Sequence, residues 1–251
     1  MSESRDIAIT LRGVTKSFDR VAALRDVSID LGRGSFAGVI GPGASGKTVM
    51  AKVIAGLVKP DRGDVVVEGV STVPLGELEL QRVRSTIGML FQNNALFDYL
   101  TVGENVAFPL RRLYRLGEGE ILDRVAERLE RVGLSGMEDR YPASLSGGQR
   151  KRVGVARSTV ARQPILIYDD PTAGLDPVTA SKIFLLLRED QLKTGSTVLA
   201  ISSDVDSLIK FVDTLIVMNR GRIMFHGTPE AAFDAAEPWA RAFVRGEWKA
   251  E

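Results

Sequence analysis

The stretch FAGVIGPGASGKTVMAKVIAGLV, residues 36–58, decides the fold. FAGVI (36–40) is a short apolar run, VMAKVIAGLV (49–58) repeats its apolar residues at helical spacing, and GPGASGKT (41–48) between them satisfies G-x-x-x-x-G-K-[ST]. Strand, glycine-rich loop and helix are implied in that order. Such a loop binds phosphate. The backbone over Gly41, Pro42, Gly43, Ala44, Ser45 and Gly46 folds around the anion with N–H groups pointing inward at a helix N-terminus. Lys47 then reaches the β/γ oxygens, and Thr48, followed by Val49, offers a hydroxyl to Mg2+. An ordinary glycine-rich turn is the competing reading, and the strand and helix on either side speak against it.

Upstream, IAITL (7–11) and VSIDL (27–31) alternate apolar and polar residues, with VTKSFDR and a short linker between them, which predicts a small antiparallel sheet. Downstream, the helical pattern is strongest from Leu78 to Tyr141 and reads as an insertion in a nucleotide-binding α/β core. In EGEILDRVAERLERVGL (118–134), Ile121, Leu122, Val125, Leu129 and Val132 make one apolar stripe, the pattern of a packed helix. Glu120/Arg124 and Glu127/Arg131 are i,i+4 pairs on the other face. After Ser146 the chain alternates between helices (about 147–162 and 177–193, then a short one) and the strands ILIYDD, STVLAIS and TLIVMN, with RIMFHG following. Strands apolar throughout, separated by helices, predict a parallel sheet covered on both faces.

With 251 residues the chain is long enough to bury a sizeable core as one large domain or two small ones. Lys+Arg 33 against Asp+Glu 32 leaves a net charge of +1, so no global field draws it to nucleic acid or an anionic membrane, and no nucleic-acid partner is expected. The absence of cysteine excludes disulfides, thiolate zinc sites and cysteine nucleophiles. MSESRDIAIT lacks the basic and apolar regions of a signal peptide, and no window reaches the roughly 18 uninterrupted apolar residues of a membrane helix. The expectation is a soluble cytoplasmic protein, with docking on a membrane protein left open.

A second motif, LSGGQ (145–149), lies well beyond the phosphate loop and shortly before an apolar strand ending in aspartate. Taken alone, Ser146 is a helix N-cap. Taken in order, GPGASGKT, Gln92 in MLFQNN, LSGGQ, ILIYDD and the turn Gly174-Leu175-Asp176 resemble the ATP-binding subunits of ABC transporters over nearly the whole chain. The resemblance implies an α/β fold with a P-loop core and parallel sheet, an N-terminal antiparallel β subdomain and a helical subdomain. It implies one ATP-binding domain over 1–251, with the helical subdomain inserted at about 93–160 and a C-terminal tail at about 229–251. It also implies ATP and Mg2+ as cofactors, a membrane permease subunit as partner, a peripheral place on the inner face of the cytoplasmic membrane, and a head-to-tail dimer sandwiching two ATP molecules.

Each implied site takes Gly41–Thr48 and Asp169 from one subunit and the signature Ser146, Gly147, Gly148 and Gln149 from the other. Gln92 would reach Mg2+ and the attacking water, and Asp176 would face the other subunit's site, although Asp before Pro177 is also ordinary N-cap chemistry. Phe18 stands where the family stacks an aromatic ring on adenine; a core phenylalanine is the alternative. FQNNALFDYLTVGENVAFPL (91–110) and EPWARAFVRGEW (237–248) look like the ATPases of MCE-associated, Mla-type lipid transporters, with importers of small polar solutes as the rival. Phe233, Trp239, Phe243 and Trp248 in the tail must bury on their own domain or on a partner.

Two positions depart from the family pattern. Asp170 stands where a glutamate usually orients the attacking water, with similar intrinsic acidity but one methylene less reach. A displacement of about 1 Å at a reacting group costs on the order of 100-fold in rate. Ser203 in ISSD (201–204) stands where a histidine usually contacts the γ-phosphate, a second, independent weakening. His226, the only histidine, is a poor catalyst and metal ligand. Two readings stay open: a slow but active ATPase, or a degenerate nucleotide-binding module that pairs with a competent paralogue. A soluble ABC protein acting on DNA or ribosomes would need a coiled-coil insertion or a second cassette.

Overall fold

A computed structural model describes residues 6–247. In chain order it begins with β1 (Ile7–Phe18), β2 (Val21–Gly32), β3 (Phe36–Ile40), α1 (Lys47–Ile54), β4 (Arg62–Val67) and β5 (Val70–Ser71). Next come α2 (Glu77–Ser85), β6 (Ile87–Leu90), α3 (Val102–Leu113), α4 (Glu118–Arg131), a 3-10 turn at Pro142–Ser144 and α5 (Gly147–Thr159). The last part holds β7 (Ile165–Asp169), α6 (Pro177–Thr194), β8 (Thr197–Ile201), α7 (Val205–Leu208), β9 (Thr214–Asn219), β10 (Arg222–Gly227), α8 (Pro229–Ala232) and α9 (Pro238–Val244). Among the described residues no helix is long and apolar enough to cross a membrane.

Two sheets result. An antiparallel one has the order β2-β1-β4-β5, and a six-stranded one has the order β10-β9-β3-β8-β7-β6, parallel except for β10. The core strands read as continuously apolar because side chains alternate between two faces and both faces are covered. Phe36, Ile40, Leu166, Tyr168, Val198, Ala200, Leu215 and Val217 enter one buried cluster with α3, α4, α5 and α6. Ala37, Val39, Ile165, Ile167, Leu199, Ile201, Ile216 and Met218 enter the other, with α1 and the antiparallel sheet.

Several expectations change. VTKSFDR is strand rather than connection as far as Phe18: β1 and β2 are each 12 residues long and pair to Phe18–Val21, with bulges absorbing the irregular middle. The helical block from Leu78 to Tyr141 is not helical throughout: β6 is a parallel edge strand beside β7, and α2 precedes it. The remaining helices α3, α4 and α5 fall within 93–160. In α4, Ile121, Val125 and Leu129 are buried, but Leu122 is exposed at the stripe's margin. Glu120 and Arg124 pair at 2.6 Å, whereas Arg131 turns to Asp190 and Glu189 of α6, and Glu127 meets Arg162. The buried Asp190 carboxylate, also held by Arg128, outcompetes an exposed i,i+4 partner.

In the tail, the Trp239 and Phe243 rings stack at 5.1 Å and pack against the chain's own helical-side core, while Phe233 stays exposed. Trp248 lies outside the described residues.

Candidate functional site

The phosphate loop leaves the C-terminal end of β3, central in the six-stranded sheet, and enters α1. Its glycines are forced by neighbouring backbone. Gly41 has φ 149° and a Cβ there would lie 2.1 Å from the Met218 carbonyl oxygen; at Gly46, φ 103°, it would lie 2.4 Å from that of Ala23. Gly46 is also the N-cap of α1, so no side chain accepts from the N–H groups of the first turn, and no acidic residue sits there. Those donors and the positive helix end suit a phosphate.

Lys47 is curled over this loop, its ammonium donating to the carbonyls of Gly41 at 2.8 Å and Pro42 at 2.7 Å and to Ser45 Oγ at 3.2 Å. Burial lowers its pKa from the usual lysine range, while Asp170 and Asp169 favour its charged form. Ala44 has a left-handed backbone, Pro42 accepts from the Ser45 N–H, and Val49 packs against the core behind the loop.

Thr48 and Asp169 test the fit to Mg2+. Thr48 Oγ1 donates to Asp169 Oδ1 at 3.1 Å, uniting the start of α1 with the end of β7 across the intervening β8. Burial raises the Asp169 pKa, the Thr48 hydrogen bond opposes that, and the Asp170 charge adds to it. Among the described residues no group of three or more His, Cys, Asp or Glu is placed to hold a metal. One carboxylate and one hydroxyl beside a phosphate loop are nevertheless the oxygen donors Mg2+ takes when phosphates and waters complete its shell. When bound, the ion neutralises charge on the phosphate oxygens.

The two departures stand together. β7 and β8 are paired with Asp169 opposite Ile201, so the residues just beyond each strand emerge side by side. Ser203 Oγ lies 3.3 Å from Asp170 Oδ2 and 3.4 Å from Oδ1, and the Asp170 N–H donates to the Ile201 carbonyl at 2.9 Å. The expectation of two independent weakenings is thus corrected: a hydrogen bond links them. Asp170 has φ 56°, a left-handed conformation that aspartate tolerates better than most residues.

Gln92 is exposed just past β6, its backbone carbonyl accepting from the Lys151 ammonium at 2.9 Å. Ser146 and Gln149 form a reciprocal capping box at the start of α5: Ser146 Oγ accepts from the Gln149 N–H at 3.2 Å, and Gln149 Oε1 from the Ser146 N–H at 2.9 Å. Gly147 faces open space, and a Cβ on Gly148 would lie 3.2 Å from Leu175 Cδ2. Among the described residues no hydrogen bond joins this motif to the phosphate loop of the same chain. Asp176 caps α6, its carboxylate accepting from the Val178 and Thr179 N–H groups and from Thr179 Oγ1; the Thr179 bond lowers its pKa.

Phe18 is 46% exposed at the tip of β1, with Lys16 Nζ 5.3 Å from its ring centroid, so it is not a core residue. His226 lines a cavity of about 750 Å3 with Asp30, Arg33 and Asp213, near the start of β3, whereas the phosphate loop follows its end. Burial lowers its pKa, partly offset by Asp30.

Lys151 escaped the sequence reading. It is 4% exposed and bonds the carbonyls of both Gln92 and Asp170. Its spacing from buried Val155 and Thr159, i+4 and i+8 on α5, was the available signal that a lysine occupied the covered face.

A family model described as ABC transporter matches residues 24–173. The chain is 35% identical over 240 residues to a probable ribonucleotide transport ATP-binding protein, mkl, of Mycobacterium leprae, covering 96% of this chain and 69% of that protein. It is 38% identical over 219 residues to the methionine import ATP-binding protein MetN of Brucella abortus, covering 87% of this chain and 59% of that protein. Among solved structures, a dimeric ATP-binding cassette in a post-hydrolysis state with ADP and Pi superposes with a TM-score of 0.84 at 32% identity, covering 88% of this chain and 98% of that one. The cbiO1 protein of Clostridium perfringens, part of the cbiONQ transporter complex, gives 0.82 at 29% identity with 96% of each chain covered. With the fold, the phosphate loop and the Thr48–Asp169 pair in place, the chain belongs to the ABC transporter family as an ATP-binding subunit that hydrolyses ATP with Mg2+.

Proposed function

We propose that residues 1–251 form a single ATP-binding domain that energises a membrane permease as one half of a head-to-tail dimer, hydrolysing ATP slowly. Gly41–Thr48 and Phe18 hold the nucleotide, Thr48, Gln92 and Asp169 serve Mg2+, and Asp170 directs the water. Ser146, Gly147, Gly148, Gln149 and Asp176 complete the site of the second copy. The observation that carries the slow-hydrolysis reading is the contact between Ser203 and Asp170, which leaves one short carboxylate and one neutral hydroxyl where reach and positive charge aid transfer. Because the Asp170 backbone N–H is anchored to the Ile201 carbonyl just past the end of β7, its carboxylate is in place to orient water. An active enzyme is therefore favoured over a degenerate module.

The cargo we assign is lipid, through an MCE-type permease, on the strength of ALFD followed by LTVGENVAFPL and of the tail EPWARAFVRGEW. The relatives named for methionine import and ribonucleotide transport support the alternative of a small-solute importer. Copurification with an MCE-type permease, and ATPase stimulation of that complex in nanodiscs by phospholipid rather than by methionine or ribonucleotide, separates the two. For the dimer, Asp170→Asn with MgATP is expected to run as a dimer in size exclusion where the unmodified chain with ADP runs as a monomer. A monomeric Asp170→Asn protein under saturating ATP overturns the shared site.

A further inference from the structure

The buried ammonium of Lys151 touches two loops of the site at once. Its Nζ donates to the Gln92 carbonyl at 2.9 Å and to the Asp170 carbonyl at 3.0 Å, using two of its three N–H donors on backbone from different parts of the chain. The helix that carries it, α5, starts at Ser146, five residues or roughly 7.5 Å of rise away. Lysine is seldom this buried without a partner charge or a full set of acceptors. Burial lowers its pKa, and the charges of Asp170 and Asp169 favour its cationic form. Neighbouring cations on α5 do other work: Arg150 and Arg152 bond the carbonyls of Leu145, Val132 and Gly133 within the helical part of the chain.

We propose that Lys151 is a positioning residue that fixes the backbones of Gln92 and Asp170 to the helix headed by Ser146, so that displacement of that helix head moves both water-handling residues together. The proposal rests on the reading that Gln92 and Asp170 serve the attacking water. Its chemistry is geometric. A single point charge bonded to two carbonyls sets the distance between their loops, and neither loop can slide without losing a charge-assisted bond. ATP itself is held elsewhere, on the phosphate loop, so removing the ammonium acts on turnover and spares affinity.

The test is steady-state ATPase and equilibrium binding of a fluorescent ATP analogue on the full chain, for Lys151→Met, Lys151→Gln and Lys151→Arg. Gln92→Ala, Asp170→Asn and Arg152→Met serve as references. Lys151→Met is expected to lower kcat by about ten-fold or more with the analogue's Kd within about two-fold, and Lys151→Arg to recover part of the loss. Arg152→Met is expected to lower the melting temperature without splitting kcat from Kd. If Lys151→Met keeps full kcat while Gln92→Ala and Asp170→Asn are inactive, the coupling is wrong and the site reading stands. If kcat and affinity fall in parallel with the melting temperature, Lys151 is only structural and the proposal is likewise overturned. If Gln92→Ala and Asp170→Asn both retain full turnover, the site reading fails and takes the proposal with it. Should Lys151→Met be insoluble, turnover falling in the order Lys, Arg, Gln at constant Kd supports the proposal, and equal turnover overturns it.

Discussion

The phosphate side and the water side of this site are built to different standards. On the phosphate side, Lys47 makes three contacts of 2.7 to 3.2 Å, Thr48 and Asp169 are bonded, and Gly41 and Gly46 are wedged against neighbouring backbone. On the water side Lys151 holds the backbones of Gln92 and Asp170, but the side chains are loose: Gln92 is exposed and the Ser203–Asp170 contacts are long, at 3.3 and 3.4 Å. Under the proposed residue roles, this difference makes recognition of ATP and the rate of its cleavage separable in this chain. Substitutions on one side should act on affinity and on the other on turnover.

The most severe break should come from Lys47→Ala, which removes the ammonium from the phosphate loop. A fall in kcat/KM on the order of 100- to 1000-fold, with ATP binding weakened in a direct titration, is expected. Undiminished ATP affinity in that variant would dissolve the contrast. Asp170→Asn is next, with kcat reduced by about 100-fold and ATP affinity preserved. Wild-type turnover there would mean that Asp170 is not the water-directing carboxylate. Asp170→Glu restores the missing methylene and should leave kcat equal or raise it by up to about 10-fold, the gain limited by the left-handed backbone at φ 56°. The smallest change belongs to Ser203→Ala: its bonds are long and solvent-accessible, so a fall in kcat of about 2- to 3-fold is expected by coupled-enzyme assay.

The same division governs what the sequence discloses. GPGASGKT, the core strands and the ends of α6 could be read directly, because local backbone chemistry decides them: glycine at strained φ, apolar runs, an aspartate before proline. β6 was hidden in a helical context because four apolar residues, IGML, fit either period. β4 and β5 escaped for a similar reason, although Glu68 and Gly69, both at positive φ, mark the tight turn between them. The Arg131 partner could not be read because Asp190 lies far along the chain and wins by being buried. The contact between Asp170 and Ser203 was equally out of reach: each residue was identifiable as a departure, but only the strand register makes them neighbours.

That register also bears on inheritance. Two residues just past the ends of adjacent strands that share a hydrogen bond are coupled through it, so a change at one alters what the other meets. A lineage passing from glutamate and histidine to aspartate and serine, or back, would cross an intermediate in which a long side chain faces a short one across the gap. Double replacement, Asp170→Glu with Ser203→His, should therefore yield more turnover than the two single changes multiplied together. Among relatives the two positions should change as a pair.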